Sequence, residues 1–331
     1  MAEWIISFLG FLSQQLAIYL GIVMFIAGVI GGFLTIVVFL SLRTFRESSC
    51  AFYLLIMSVF NIGNLFLGLL SRILITGFRI DWTLSSPFYC AFRWYLLYFG
   101  VLISFTMISL ATIDQYLVTC SRPSWQQWSN IKLAHRLSLA VIIFCILLGI
   151  PYMIYFNIIE QPTSYKIICT STNAAFFQYH IYVYIICLAG VVPVTITVLF
   201  GCLAYRNVQQ LAHRTVPLIR RELDKQLTTM VLVQVVHNFF ATIPYTIVTA
   251  INYSSILPND SVIIAQLQFT NVITIYLYYL NYTSPFYIYL GVSERFRHQL
   301  IYVLFEIHLK RWRRRQVNVD IGGGACRPSE A

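Results

Sequence analysis

Residues 108–120, ISLATIDQYLVTC, close a long apolar run with one acid, Asp114, followed by the neutral Gln115 and the aromatic Tyr116. A lone carboxylate at the end of an apolar helix is costly unless something pairs with it, solvates it or uses it. The run before it, residues 94–113, carries no charge. About 20 such residues are what a helix needs to cross roughly 30 Å of hydrocarbon.

The rest of the chain repeats this pattern. Residues 16–42, 51–71, 137–157, 178–205, 226–252 and 262–291 are further charge-poor runs of spanning length, which makes seven. Hydrophobic residues form 59% of the chain and charged residues 10%, too little polar surface for a soluble body of 331 residues. The expected fold class is therefore an all-α membrane protein, a seven-transmembrane helix bundle.

Residues 1–16 have no basic start and contain Glu3, so they read as a short outer N-terminus (1–15) leading into the first span, not as a cleaved signal. Basic residues near span ends set the orientation. With the N-terminus outside, Arg43, Arg46, Arg122, Lys132, Arg136, Arg206 and the bases of 214–225 and 295–315 lie inside. The outer side then keeps only Arg72, Arg79, Arg93 and Lys166, offset by Glu3, Asp81, Glu160 and Asp260. The net charge of +10 thus lies on the cytoplasmic face, beside Asp114. It is scattered over loops with no nucleic-acid recognition motif, and reads as a topology signal and a contact for anionic lipid headgroups.

Of eight cysteines, Cys90 and Cys169 alone face the oxidising side. They can pair, tying the loop after the fourth span to the third; the alternative is two outward-facing free thiols. Asn252 and Asn259 head glycosylation sequons on the same side, with Asn259 the better placed.

Several features together resemble the rhodopsin-like (class A) G-protein-coupled receptors. They are the seven spans, the cysteine pair, Asp114-Gln115-Tyr116 ending the third span, Pro193, Pro244 and Pro285 in the fifth to seventh, and Glu294-Arg295-Phe296-Arg297 beyond them. The resemblance covers roughly residues 16–310 and rests on joint order and spacing. It implies a receptor domain over 16–293, a plasma-membrane location, a heterotrimeric G protein at the cytoplasmic face and an extracellular small or peptide ligand. It also implies hinges at the three prolines and a switch at Asp114, Gln115, Tyr116 and Asp224.

The chain departs from that pattern at several places. Gln115 stands where the family has an arginine, so the clasp between that arginine and an acid at the position of Asp224 is expected to be weaker. For Asp114 two readings stay open: a protonation-linked switch, or a mark of the helix reaching an interface where water, Arg122 or Arg136 stabilises it. Asn61 replaces an aspartate, and Ser104, Asn281 and Ser284 are expected to complete a polar cluster with it. Without carboxylate oxygen, that cluster suits hydrogen bonds and not sodium. Thr242 replaces a tryptophan beside Pro244, leaving Phe239, Phe240 or Tyr245 as substitutes, and Ile288 stands where a tyrosine is usual, between Tyr287 and Tyr289.

After the last span, Phe296, Leu300, Leu304 and Ile307 recur at helical spacing, so 294–309 is expected to form a short amphipathic helix on the inner membrane surface. Residues 310–331 read as a basic, disordered cytoplasmic tail holding anionic headgroups.

Arg72 and Arg93 are the notable charges near the expected ligand cavity. Each alone can snorkel to the interface; together they point to an anionic or carboxylate-bearing ligand such as a peptide C-terminus. Leu97, Tyr98, Val101, Tyr245, Thr249, Thr274 and Tyr278 are the other wall candidates. The amine-binding aspartate and retinal-binding lysine of relatives are absent at Leu97 and Tyr278. No catalytic motif, metal-ligand spacing or cofactor signature appears, and His180 and His237 read as packing or pocket residues. A multispan transporter or channel is the alternative, but it finds neither midplane charge nor internal repeat.

Overall fold

The computed structural model describes residues 2–41, 43–160, 167–211, 218–253 and 260–307, excepting the side chains of 43, 44, 211, 218–224, 306 and 307. Seven helices among them are long and apolar enough to cross a membrane. They are α1 (Ala2–Ser41), α2 (Ser49–Gly77), α3 (Pro87–Thr119), α4 (Ile131–Tyr155), α5 (Ala174–Gln210), α6 (Leu218–Asn252) and α7 (Ser261–Thr283).

Local sequence sets where these helices begin. Ser48, Asn130, Asn173 and Asp260 each accept a hydrogen bond from a first-turn backbone N–H, at Ala51, Lys132, Phe176 and Val262 respectively, while Pro87 opens α3 at a position where no N–H is needed. Between α4 and α5 the chain forms an antiparallel hairpin, β1 (Phe156–Glu160) with β2 (Ile167–Ser171), in which Ile158 faces Cys169.

α3 is the buried axis of the bundle, with Ile103, Met107, Ala111 and Thr112 fully enclosed. α1 instead turns Val23, Ile26, Ile30 and Phe33 outward. That apolar periphery is what hydrocarbon accepts and water does not. α7 keeps helical backbone through Ser284 and resumes at Pro285 as α8 (Pro285–Val292). At Ser293 the backbone becomes extended, and the Ser293 hydroxyl caps the next helix, α9 (Glu294–Ile301), through the Phe296 N–H at 3.2 Å. α9 is tied back to the end of α1 by Gln299 Nε2, which donates to Ser41 Oγ at 2.8 Å.

Residues 2–15, expected as a short N-terminus leading into the first span, are helical and continuous with α1. They hold no proline, and Gln14 pins the helix to the end of α2 by donating to Gly77 O at 2.8 Å. In α9 and the wide turn after it, the inward face is Phe296, Leu300 and Val303, whereas Leu304 is exposed. A strict four-residue spacing drifts about 40° per step around a helix of 3.6 residues per turn, so the third position moves back by one. Asn259 and the tail 310–331 lie outside the described residues.

Wide i→i+5 turns interrupt α2 at Leu65–Leu70 and Ile73–Gly77, and α5 at Tyr179–Val191. In α5 the last of these has Val192 N–H bonded to Cys187 O, one residue before Pro193. Such turns accommodate a ring that cannot sit against an ordinary helical turn, and they change which side chains face inward.

Candidate functional site

At the Cys90 end, α2, α3, α5, α6, α7 and the hairpin enclose a cavity of about 330 Å3. This size suits a small ligand or the end of a longer one. Cys90 and Cys169 are joined as a disulfide with Cα atoms 5.8 Å apart, which fixes β2 against α3. Trp94 Nε1 adds a contact to Cys169 Sγ at 3.2 Å.

Eight of the nine expected wall residues line this cavity: Arg72, Arg93, Leu97, Tyr98, Val101, Tyr245, Thr249 and Tyr278. Thr274 does not. Its hydroxyl turns back to the carbonyls of Thr270 and Asn271 on its own helix, at 3.0 and 3.2 Å.

Arg93 is only 6% exposed. Its Nε donates to Leu67 O at 3.1 Å and Ser71 Oγ at 3.0 Å, and its guanidinium lies 5.2 Å from the centre of the Trp94 ring. Among the described residues, the cavity wall contains a second cation, Arg72, and no aspartate or glutamate. The wide turns of α2 lie on either side of Ser71 and Arg72 and so position this polar corner. Gly68 permits the close approach of α7, because a Cβ there would meet Tyr279 Oη at 2.6 Å.

The opposite wall is aromatic. His180 is held between two tyrosine hydroxyls, Tyr98 at 2.9 Å from Nε2 and Tyr152 at 2.8 Å from Nδ1, while Tyr184 donates to Tyr98 O. Tyr184, Tyr279 and Tyr282 also line the cavity and were not legible as wall residues in the sequence. The only available signal was the density of tyrosines in the fifth and seventh spans.

In the middle of the bundle, two of the four residues expected to cluster bond to each other and the other two bond to α6. Ser104 donates to Asn61 Oδ1, joining α3 to α2. Asn281 Nδ2 donates to Thr242 Oγ1 at 2.9 Å, and Ser284 lies 3.4 Å from His237 Nδ1, joining α7 to α6. Asn281 and Ser284 are three residues apart, hence on one helical face, and that face is turned to α6. Beside Pro244, Tyr245 faces the cavity and packs tilted against Tyr278 with ring centres 4.7 Å apart, whereas Phe240 is 68% exposed and points away from the bundle. Of the three aromatic substitutes for the missing tryptophan, the structure therefore brings only Tyr245 into the cavity wall.

At the far end, Asp114 is not an open interfacial carboxylate. It is 6% exposed, and its Oδ1 accepts hydrogen bonds from Ser49 at 2.7 Å and Ser129 at 2.8 Å. Arg122 and Arg136 are exposed. The acid thereby joins α3 to the start of α2 and to the segment before α4. Tyr116 packs edge-on against Trp125 and Phe200.

Among the described residues, α6 is fastened at this end by hydrogen bonds of neutral side chains. Thr228 Oγ1 donates to Gln115 Oε1 at 2.7 Å. Gln226 Oε1 accepts from Ser293 Oγ at 3.0 Å and from Arg295 N at 3.1 Å, and Tyr289 donates to Gln234 Oε1. Asp224 lies on the same helix, and its side chain is outside the described residues. Tyr289 is fully buried and Tyr287 is 45% exposed, so of the two tyrosines flanking Ile288 the second enters the core.

Comparison with curated proteins gives no match. The family model for the 7 transmembrane receptor (rhodopsin family) matches residues 31–287, which covers α2 to α7 whole and most of the bundle's disulfide, cavity and latch residues. With seven apolar helices and the Cys90–Cys169 bridge, that match places the chain in its family: it belongs to the rhodopsin-like, class A G-protein-coupled receptors.

Proposed function

We propose that this receptor lies in the plasma membrane with its N-terminus and the Cys90 end outside, and binds an extracellular ligand bearing a carboxylate, such as a peptide with a free C-terminus. The observation that carries this reading is Arg93: a guanidinium held 6% exposed on the wall of a cavity whose described residues include a second arginine and no acid. A buried charge without a counter-charge is expensive, and an anionic ligand supplies the missing partner. The carboxylate would sit between Arg72 and Arg93, with the body of the ligand against Tyr98, Tyr245 and Tyr278.

Binding favours a bundle state in which α6 moves away from α3 at the Asp114 end and admits a heterotrimeric G protein on the cytoplasmic side. Pro193, Pro244 and Pro285 act as hinges: the first two each remove a backbone hydrogen bond from within a helix, and the third stands at the junction of α7 and α8. Asp114, Gln115, Tyr116 and the inner part of α6 form the switch. Residues 16–293 are the receptor domain, and α9 lies on the inner leaflet.

A library of free-acid peptides and their C-terminal amides, applied to cells expressing the chain with G-protein dissociation as readout, tests the ligand class. Free acids are expected to act where amides do not, and the Arg72→Ala, Arg93→Ala double variant is expected to abolish the response. Unchanged potency in that variant would exclude the anionic reading.

A further inference from the structure

We propose that a groove between α3 and α4 at the Asp114 end binds one anionic phospholipid of the adjacent leaflet, with an acyl chain in the groove and the headgroup on Lys132 and Arg136. The groove, about 460 Å3, is walled by Ile113 and Leu117 of α3 and by Leu133 and Leu137 of α4, and is closed by Trp125 and Trp128 of the connecting segment. Trp125 and Trp128 are 43% and 65% exposed. Indole rings exposed at the end of a membrane span sit at headgroup depth, and a hydrocarbon-lined cleft opening there is filled by a chain and not by water.

Charge selects the headgroup. Residues 120–136 contain Arg122, Lys132 and Arg136 and no acid. Lys132 and Arg136 are exposed one turn apart on α4, each immediately before a leucine of the groove wall. The acid on the wall is Asp114, whose Oδ1 is covered by the Ser49 and Ser129 hydroxyls, so the negative headgroup belongs at the basic rim and the chain at the apolar depth. Free phosphate would find only the rim, which is why the source is the bilayer. Because Ser129 also holds the connecting segment to Asp114, the occupied groove braces that segment against α3.

Tryptophan quenching by lipids brominated on their acyl chains tests this. The purified full chain is placed in phosphatidylcholine nanodiscs containing equal fractions of brominated phosphatidylserine or brominated phosphatidylcholine. The groove signal is the part lost in the Trp125→Phe, Trp128→Phe variant. Brominated phosphatidylserine is expected to occupy the groove, and so to quench this signal at low mole fraction, on the order of 25-fold more effectively, the product of two basic side chains. Lys132→Gln and Arg136→Gln should each reduce the preference roughly fivefold, the factor for one basic side chain near an anionic surface, and leave quenching by phosphatidylcholine unchanged. Equal quenching by the two lipids would overturn the proposal, as would a preference that survives removal of both charges. Quenching by phosphatidylcholine retained in the charge variants reports that the fold is intact.

Discussion

Thr228 of α6 donates a 2.7 Å hydrogen bond to Gln115 of α3, at the place where relatives hold these helices with an arginine. One neutral hydrogen bond contributes about 1 kcal/mol, roughly a fivefold shift in an equilibrium. Thr228→Val is therefore expected to raise ligand-free G-protein activation about fivefold. Gln115→Arg should lower it, because the guanidinium can donate to Thr228 while facing the Asp114 carboxylate. Ligand-free second-messenger output measures both, and no change in basal or evoked signal for either variant would remove the latch from the mechanism.

Arg93 predicts a conflict between stability and response. Replacing a buried, uncompensated charge by an apolar side chain of similar length is commonly neutral or stabilising. Arg93→Met should leave the melting temperature of the unliganded receptor unchanged or raised by a few degrees, while eliminating the ligand response. A large fall in melting temperature would mean that Arg93 is a structural residue satisfied by Leu67 and Ser71.

The disulfide closes a loop with a sequence separation of 79 residues. Chain-entropy arguments give up to about 4 kcal/mol for a loop of this size. Cys169→Ala should lower the melting temperature of the purified receptor and abolish the response, because the hairpin no longer closes the cavity. Retention of both properties would show that the hairpin is held instead by packing of Phe156 on Trp94, whose ring centres lie 5.4 Å apart.

Asn61 carries a neutral amide where relatives carry an acid, and it is engaged by Ser104. A buried hard cation is held far more weakly when no carboxylate supplies negative charge. Replacing sodium by choline at constant ionic strength should leave agonist potency unchanged, whereas Asn61→Asp should make potency fall as sodium rises. Sodium sensitivity in the native chain would contradict this.

The seven spans were legible because hydropathy is local: residues 94–113 announce a spanning helix whatever surrounds them. The cysteine pair was legible for a similar reason, since compartment and position left two thiols on one side. Most of the cavity wall followed from the order of the spans. The sequence also determined that Gln115 and Asn61 carry no charge, a matter of residue identity alone.

What the sequence left open was rotation. A helix presents a new residue every 100°, and only packing decides which of three neighbours turns inward. Tyr289 and not Tyr287 entered the core, Thr274 turned back on its own helix, and Asn281 and Ser284 found their hydrogen-bond partners on α6. Asp114 shows the same limit: its place at the end of a span was readable from ISLATIDQYLVTC, but Ser49 and Ser129, distant in the chain, meet its carboxylate only once three segments are packed together.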